Sequence, residues 1–274
     1  MIVNGVALAV KIREVLKTQI QKLKSPPVLA IVIVGDNLAS RQYVAKKKFF
    51  GEHIGSQIKL FEYPADITND HLQIRIKNLV LDPSINGIIV QLPLPKHLDT
   101  KNILKLVSKE KDVDALAKSP LVLSPVVAAI KTVFDSYQIN LLNKKILVVG
   151  KGKLVGMPTY LWLSQTGQNA QIVDSADEDI SNKIKQADIL VLGTGQPHLI
   201  RPEMIKEGVV IIDAGTSEAN SKLKGDADPA CALKSSVFTP VPGGIGPLTV
   251  AMLFSNLIDL VQHQLNKPSG GNIK

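Results

Sequence analysis

Two side chains in the first half of the chain have the types and spacing that proton chemistry requires. Tyr43 and Lys47 are four residues apart in a helical pattern, so they are expected to share one helix face. Lys46 and Lys48 flank Lys47, and because like charges disfavour protonation they are expected to lower its pKa from the usual ~10.4. A lysine with a pKa nearer neutrality can act as a general acid or base. The run by itself also fits a solvated basic helix face.

Further candidates lie in loops that follow predicted strands. Residues Gly87–Val90 are uniformly apolar, which predicts a strand buried on both faces, and Gln91 and Leu92 follow it directly. Gln91 is therefore expected at the carboxyl end of a strand, where parallel sheets bind ligands. Asp114, at the end of the segment Lys111–Asp114, carries a carboxylate that could bind an aminopyrimidine edge. Each of these residues is also compatible with an ordinary turn or a charged surface.

A glycine-rich turn separates a predicted strand from a predicted helix in the second half. Gly150, Gly152 and Gly156 have the spacing GxGxxxG, which lets the backbone approach a pyrophosphate at a helix N-terminus. A tight turn that binds nothing has the same pattern. Asp174 ends the next predicted strand and is expected to accept from a ribose 2′-hydroxyl or to cap the following turn.

The predicted cofactor site draws on the loops after four predicted strands. Its residues are Gly150, Lys151, Gly152, Val155, Gly156, Asp174, Ser175, Thr194, Gly195 and Thr216. No metal site is predicted.

Strand-like apolar runs alternate with amphipathic stretches along the chain, which predicts an α/β fold with parallel sheets and helices on both faces. The predicted strands are Val28–Val34, Gly87–Val90, Ile146–Val149, Ala170–Val173, Ile189–Leu192 and Val209–Ile212. The predicted helices are Ala7–Leu23, Ala39–Ile54, one capped by Thr68 and ending near Leu79, one starting at Pro125, and Pro247–Gln264. Two domains are expected, at 1–118 (completed by helix 247–265) and at 119–246, followed by a flexible tail at 266–274.

Composition narrows the class of protein. Of the 274 residues 45% are hydrophobic and 20% charged, an ordinary globular balance. The net charge of +8 is spread along the chain and aromatic residues are 4%, which argues against a nucleic-acid partner. A single cysteine, Cys231, excludes an internal disulfide, and no apolar run is expected to approach a membrane span of ~20 residues. A soluble cytoplasmic protein is the expectation.

Several of these segments occur together and in order in one known family. They are Tyr43-Val44 with Lys47, GIIVQLPLP from Gly87, Lys111-Asp112-Val113-Asp114, Val155-Gly156 with Pro158, and PVPGGIGPLTVAML from Pro240. In these motifs the chain resembles the methylenetetrahydrofolate dehydrogenase/methenyltetrahydrofolate cyclohydrolase enzymes over nearly its whole length.

The resemblance implies an α/β catalytic domain, a Rossmann-like nicotinamide-binding domain and a homodimer. It implies oxidation of methylenetetrahydrofolate, hydrolysis of the methenyl product to 10-formyltetrahydrofolate, and a place in one-carbon metabolism and purine biosynthesis. By this resemblance Lys47 is catalytic, Gln91 tunes it, Tyr43 stacks near the pterin and Asp114 holds the pterin ring. The folate site would be lined by Leu92, Pro242, Gly243 and Ile245.

The sequence departs from the family pattern at the cofactor. The usual Gly-Arg-Ser turn reads Gly150-Lys151-Gly152, and the usual His-Ser-Arg-Thr reads Asp174-Ser175-Ala176-Asp177. NADP is the family default, but the basic group expected for its 2′-phosphate is lost and two carboxylates are gained. NAD is therefore expected to compete well. The loop after Asp114 also differs, since Ala115 and Leu116 replace the usual Gly-Phe.

Two other functions remain open from the residues alone. An unrelated dehydrogenase of a hydroxy or amino acid would use a histidine base with a carboxylate partner, and none of the five histidines shows such a pairing in sequence. A regulatory dinucleotide-binding module would bind cofactor without turnover, and Lys47 and Gln91 would then have no task.

Overall fold

The structure is a computed structural model that describes residues 1–117, 119–219 and 222–266. The predicted flexible tail, from residue 267 onwards, lies outside the described residues. The α-helices are α1 (Gly5–Gln21), α2 (Leu38–Ile54), α3 (Asn69–Leu81), α4 (Thr100–Leu104), α5 (Pro125–Ser136), α6 (Gly156–Gln165), α7 (Ile180–Gln186) and α8 (Ile245–Leu265). The strands are β1 (Val28–Val34), β2 (Gln57–Tyr63), β3 (Gly87–Val90), β4 (Ile146–Val149), β5 (Ala170–Val173), β6 (Ile189–Leu192), β7 (Val210–Asp213), β8 (Ser217–Ala219), β9 (Lys222–Lys224) and β10 (Val237–Phe238). Two short 3-10 segments lie at Pro202–Met204 and Pro229–Leu233.

The apolar runs predict β1, β3, β4, β5 and β6 with the bounds that the structure has, and β7 lies one residue later than predicted. Thr68 caps α3 as expected, its hydroxyl accepting from the His71 N–H. The pattern misses β2 and the short strands β8, β9 and β10. Of these, β2 is the longest, with seven residues. Its residues are mostly exposed or half-buried, so it lacks the continuous apolar run of a strand buried on both faces.

The chain divides into two compact units. The first unit comprises Lys11–Pro125 and the chain from Val250 onwards, and the second comprises Met1–Val10 and Val126–Thr249. The first ten residues thus belong to the second unit, where Ile2 forms a parallel bridge with Phe238.

A three-stranded parallel sheet in the order β2-β1-β3 forms the centre of the first unit. Every residue of β1 is buried because alternate side chains enter two different cores. Leu29, Ile31 and Ile33 pack with residues of α1, α2 and α8. Val28, Ala30, Val32 and Val34 pack on the opposite face with residues of α3. Such two-sided burial is what the uniformly apolar run predicts.

The segment Lys111–Asp114 is fixed to this sheet by backbone contacts. The Ile88 N–H donates to the Lys111 carbonyl at 2.7 Å, and Ile88 forms an isolated parallel bridge with Asp112. Buried Asn256 of α8 donates from Nδ2 to the carbonyls of Val113 (2.9 Å) and Leu123 (2.8 Å). Asp114 therefore sits on a loop whose preceding residues are held from two sides.

A five-stranded parallel sheet in the order β10-β7-β6-β4-β5 forms the centre of the second unit. The order of strands along the chain reverses between β4 and β6, which lie side by side. In open α/β sheets this switch point, at the carboxyl ends of the strands, is the usual ligand site. The loops after β4 and β6 carry Gly150 and Thr194, two of the predicted cofactor residues.

Within the described residues, α8 has the length and mean hydropathy of a membrane span, contrary to the expectation that no apolar run would reach that length. More than half of its apolar window, 56%, is buried inside the protein. Its side chains Phe254, Leu257 and Leu260 belong to the first unit's core. The composition of α8 therefore also fits a core helix.

Candidate active site

Lys47 and Gln91 meet in the first unit, as predicted. The Lys47 Nζ donates to the Gln91 Oε1 at 3.0 Å, and the Gln91 Nε2 donates to the Leu92 carbonyl at 2.7 Å. Because its amide nitrogen is already engaged, Gln91 presents its oxygen to the lysine. The Ser40 hydroxyl donates to the same Leu92 carbonyl at 3.4 Å, and the Leu92–Pro93 peptide bond is cis.

Helix α2 places Lys47 through its caps and its buried face. The Asn37 side chain accepts from the Ser40 N–H at the helix start, and Gly55 ends the helix in the left-handed conformation at φ +91°. A Cβ at Gly51 would lie 2.6 Å from Ile58 and 2.7 Å from the Phe254 ring, so glycine is needed for this close approach. Lys47 is three residues from buried Val44, at the border of the buried face.

The Lys47 pKa is lowered from its ordinary value, as predicted, but the predicted cause was wrong. Burial is the cause, and the Asp114 carboxylate opposes it by attracting the ammonium. The flanking lysines face elsewhere, since the Lys46 Nζ lies 5.5 Å from the centre of the Tyr43 ring and Lys48 pairs with Glu52 at 3.8 Å. Neighbours in sequence are not neighbours on a helix surface.

Two carboxyl groups lie in the loop near the lysine. Burial raises the Asp114 pKa, and Lys47 lowers it. Burial also raises the Asp112 pKa to about 6, opposed by backbone N–H donors and reinforced by the Asp114 charge. Burial thus shifts the pKa values of Lys47 and Asp114 toward each other, and the attraction between the two groups opposes both shifts.

The other predicted substrate residues differ in exposure. Tyr43 and Leu92 are half-buried, with Leu92 packed against the core around α3. In the second unit Pro242 is exposed and follows a cis peptide bond, while Gly243 accepts the Gly5 N–H at 2.9 Å. Ile245 is 3% exposed, so its side chain contributes mainly to packing at the start of α8.

The glycine turn after β4 packs directly against the loop after β6. A Cβ at Gly156 would lie 1.7 Å from the Gly150 carbonyl oxygen, and a Cβ at Gly193 would lie 2.4 Å from the Val155 side chain. Gly152 has room for a Cβ, so packing does not require its glycine. Val155 precedes α6 and cannot cap it with a side-chain oxygen, but in the first turn the Met157 N–H donates to the Gly152 carbonyl at 3.0 Å and Pro158 has no N–H. The Gly156 N–H is therefore the first-turn donor left for an anionic ligand.

Lys151 is held by two carboxylates. Its Nζ lies 3.1 Å from the Asp174 Oδ2 and 3.2 Å from the Asp177 Oδ2, and these contacts raise its pKa. Asp177 also accepts the Asp174 N–H at 2.8 Å and pairs with Lys183 at 3.7 Å. Ser175 and Ala176 are exposed between the two aspartates.

Sequence reasoning missed two features of the second unit. The Thr194 N–H donates to buried Asp226 at 2.6 Å, a contact between residues far apart in sequence. His198 Nδ1 lies 3.2 Å from Asp228 Oδ2, a pairing that the sequence does not show. Both pairs join segments separated by about thirty residues, and only the fold brings them together.

Replacing Asp114 by Asn is expected to lower the Lys47 pKa further, because the variant removes the negative charge that favours the ammonium. The check is the pH dependence of Lys47 modification by an amine-reactive reagent, followed by mass spectrometry. Its midpoint should move to lower pH in Asp114→Asn. Glu52→Gln, which removes the carboxylate beside Lys48, should leave it in place. A midpoint that stays or rises in Asp114→Asn would contradict the assignment.

Comparison with known proteins identifies the family. The catalytic-domain model of tetrahydrofolate dehydrogenase/cyclohydrolase matches residues 3–114, and the family's NAD(P)-binding domain model matches 124–265. The bifunctional protein FolD of Nautilia profundicola is 36% identical over 273 residues, covering 94% of this chain and 95% of that protein.

Two solved structures agree with the sequence matches. The bifunctional methylenetetrahydrofolate dehydrogenase/cyclohydrolase FolD of Campylobacter jejuni superposes with a TM-score of 0.92 at 34% identity, covering 96% of this chain and 99% of that one. The Trypanosoma brucei enzyme, solved with NADP and an inhibitor, also has a TM-score of 0.92, at 29% identity and 97% and 98% coverage. The chain therefore belongs to the tetrahydrofolate dehydrogenase/cyclohydrolase family and is a bifunctional methylenetetrahydrofolate dehydrogenase and methenyltetrahydrofolate cyclohydrolase that uses a nicotinamide cofactor.

Proposed function

We propose that Lys47 transfers the protons of the cyclohydrolase reaction and that Gln91 holds its amine in place. The observation that carries the proposal is the 3.0 Å hydrogen bond from a lysine whose pKa is lowered by burial. A neutral amide can orient the amine without attracting a proton to it, whereas a carboxylate at position 91 would raise the lysine pKa.

The hydrolysis requires a group that can take and return a proton. Water adds to the carbon of the methenyl cation, and the neutral Lys47 amine takes one proton from that water as the carbon–oxygen bond forms. The bond from this carbon to the ring nitrogen N5 then breaks, and the Lys47 ammonium returns the proton to N5. The remaining hydroxyl proton leaves to solvent, giving the formyl group on N10. One proton is released overall, so charge balances.

The dehydrogenation places a lighter demand on side chains. Loss of hydride from the methylene carbon gives a cation stabilised by two flanking nitrogens, so no hydroxyl proton has to be removed. The nicotinamide, when bound, accepts that hydride, and the chain's contribution is orientation. We assign cofactor binding to the ten residues predicted from the second-unit loops, and pterin and folate contacts to Tyr43, Leu92, Asp114, Pro242, Gly243 and Ile245.

Replacing Lys47 by Met should abolish hydrolysis while hydride transfer continues, because only hydrolysis needs the amine as a proton carrier. The loss expected for a general acid–base is roughly 10²–10⁴-fold. The measurement starts from methylenetetrahydrofolate and follows reduced cofactor and methenyl product together, so methenyl product should accumulate in the variant.

Lys48→Met is the matched control, since Lys48 is an exposed lysine of the same helix that pairs with Glu52. It should hydrolyse like the wild type. Full cyclohydrolase turnover in Lys47→Met would end the proposed role, and loss of both activities with an unchanged fold would show that Lys47 serves binding rather than proton transfer.

We further propose that NAD is used at least as well as NADP. A 2′-phosphate next to Asp174 would meet two carboxylates, and the cation nearest to it, Lys151, is already paired with both of them. The 2′-hydroxyl of NAD would instead find a carboxylate acceptor in Asp174.

The double variant Asp174→Asn/Asp177→Asn should favour NADP, because it removes the repulsion and frees Lys151 for a phosphate. The kcat/KM ratio of NADP to NAD is expected to rise about tenfold or more, as removal of like charges beside a bound phosphate predicts. Asp179→Asn, an exposed carboxylate of the same region, should leave the ratio unchanged. A strong wild-type preference for NADP in side-by-side kinetics would refute the proposal.

The cytoplasmic location, the role in purine biosynthesis and the domain boundaries at 118 and 246 are likewise proposals, based on the family resemblance. So is the homodimer, for which β2 supplies a structural reason. Within the described residues β2 pairs with β1 alone, so its other edge has free backbone groups, and Leu60 on it is 40% exposed.

Sedimentation equilibrium should therefore give a dimer mass, and Leu60→Lys should weaken the dimer, because a charge on a sheet edge opposes edge-to-edge pairing. Leu142→Lys, at an exposed leucine of the second unit, is the control. A wild-type monomer at micromolar concentration would exclude the homodimer.

A further inference from the structure

Two buried aspartates lie near the carboxyl ends of the parallel strands in the second unit, and neither takes part in the reactions proposed above. Asp213 ends β7 and is 1% exposed, and Asp226 follows β9 and is 0% exposed. Burying a carboxylate costs free energy unless its oxygens are fully used or it is protonated. Their hydrogen bonds show what they hold.

Asp226 fixes the loop after β6. Its Oδ2 accepts from the Thr194 N–H at 2.6 Å, the Thr194 hydroxyl at 2.9 Å and the Gly195 N–H at 3.3 Å. This loop lies at the switch point of the sheet, beside the glycine turn that follows β4. One oxygen therefore determines the backbone path of two proposed cofactor residues.

Asp213 fixes the loop after β7 and the segment that carries Asp226. Its Oδ1 accepts from the Gly215 N–H at 3.0 Å, and its Oδ2 accepts from the Ala227 N–H at 2.9 Å. Its own N–H donates to the Thr239 hydroxyl at 2.6 Å. The two loops are thereby attached to each other through side-chain oxygens.

Each carboxyl group also packs over a glycine next to the other one. A Cβ at Gly215 would lie 2.1 Å from the Asp226 carboxyl carbon, and a Cβ at Gly225 would lie 2.2 Å from the Asp213 Oδ2. This reciprocal packing has no room for a larger residue at either glycine. It brings the two acids close enough for their charges to interact.

Among the described residues, no lysine, arginine or histidine forms an ion pair with either carboxylate. The Asp213 pKa is raised to about 7, first by burial and then by the Asp226 charge, while backbone N–H groups oppose the rise. The Asp213 charge also acts on the buried thiol of Cys231, where it is one of the smaller causes that raise the thiol pKa. Asp226 Oδ1 is buried and has no hydrogen-bond partner among the described residues, so the pair contains a buried acceptor that is not satisfied.

We propose that Asp213 and Asp226 form a buried carboxyl pair that positions the loops Thr194–Gly195 and Gly215–Thr216 for the nicotinamide cofactor, and that Asp213 carries a proton when the cofactor binds. The inference rests on the proposed cofactor site at these loops. When the proton is lost, two buried negative charges repel each other and also repel the cofactor's pyrophosphate. Both aspartates are positioning residues, since they act through the loops they hold.

The sign of the pH effect follows from the Asp213 pKa. The folded state retains a proton up to pH of about 7, whereas the unfolded chain loses it near its ordinary value of 3.8. Between these values the folded state binds more protons, so this pair's contribution to stability falls as pH rises and levels off above about 7. Cofactor affinity is expected to fall through the upper part of the same window.

Calorimetric titration with NAD from about pH 6 to 8.5 tests the proposal on the full-length protein. Wild-type affinity should fall roughly tenfold across this range, as expected for loss of one coupled proton. Asp213→Asn cannot titrate and has one acceptor fewer, so its affinity, whatever its level, should not change with pH. Asp226→Ala removes the acceptor for Thr194 and Gly195, and its affinity should drop about tenfold or more at every pH.

Two controls separate the pair from other groups. Asp188→Asn removes a carboxylate just before β6, at the amino ends of the parallel strands, where it accepts the Lys145 N–H at 2.7 Å. This variant should keep the wild-type pH profile. His198→Asn removes the imidazole paired with Asp228 and should also keep it. Melting temperatures give a second readout, with the wild type losing more than Asp213→Asn between about pH 5 and 8.

A pH-independent wild-type affinity, or an Asp213→Asn variant that retains the wild-type pH dependence of both affinity and melting temperature, would overturn the proton on Asp213. No measurable binding of NAD or NADP to the wild type would overturn the proposed cofactor site together with this inference. The first result leaves the cofactor site intact, so the two failures are distinguishable.

Discussion

Partial burial of one lysine amine is the constraint on which the proposed chemistry depends. In water the Lys47 side chain would be an ammonium at neutral pH and could not take a proton from water. Burial shifts it toward the amine, and the only group hydrogen-bonded to its Nζ among the described residues is the neutral amide of Gln91. Asp114 attracts the ammonium from nearby, so the lysine is not pushed wholly to the neutral form. The balance between burial and this single carboxylate sets its readiness to exchange protons.

The fold of the first unit holds in place the residues that set the Lys47 pKa. Both faces of β1 are covered, which fixes β3 beside it and brings Gln91 to the carboxyl end of the sheet. Helix α2 presents Lys47 from its border position, and Gly51 allows the helix to approach Ile58 and Phe254 closely. Asn256 holds the loop before Asp114 through two carbonyls. Each of these contacts is structural, and each fixes the position of Lys47, Gln91 or Asp114.

Sequence reasoning reached the parts of this arrangement that depend on local pattern. Uniformly apolar runs gave β1, β3, β4 and β6 because a strand buried on both faces needs no alternation. The half-exposed strand β2 lacks that signal and was missed. The Lys47–Gln91 pair was reached through family motifs. The sequence did not predict why the Lys47 pKa is lowered, because the cause depends on burial and on Asp114, which is distant in sequence. The sequence did not predict the Asp213–Asp226 pair or the His198–Asp228 pair for the same reason. No local spacing indicates which residues meet only in the folded protein.

Burial is used in both units, with opposite effects on the two kinds of group. It lowers the pKa of a base in the first unit and raises the pKa of an acid in the second. Both shifts favour the uncharged form of the group. The proposed hydrolysis needs Lys47 without its proton, which higher pH favours. The proposed cofactor loops need the aspartate pair with its proton, which lower pH favours. The two activities are therefore expected to respond to pH in opposite directions, and their ratio, more than either rate, reports the protonation state of the enzyme.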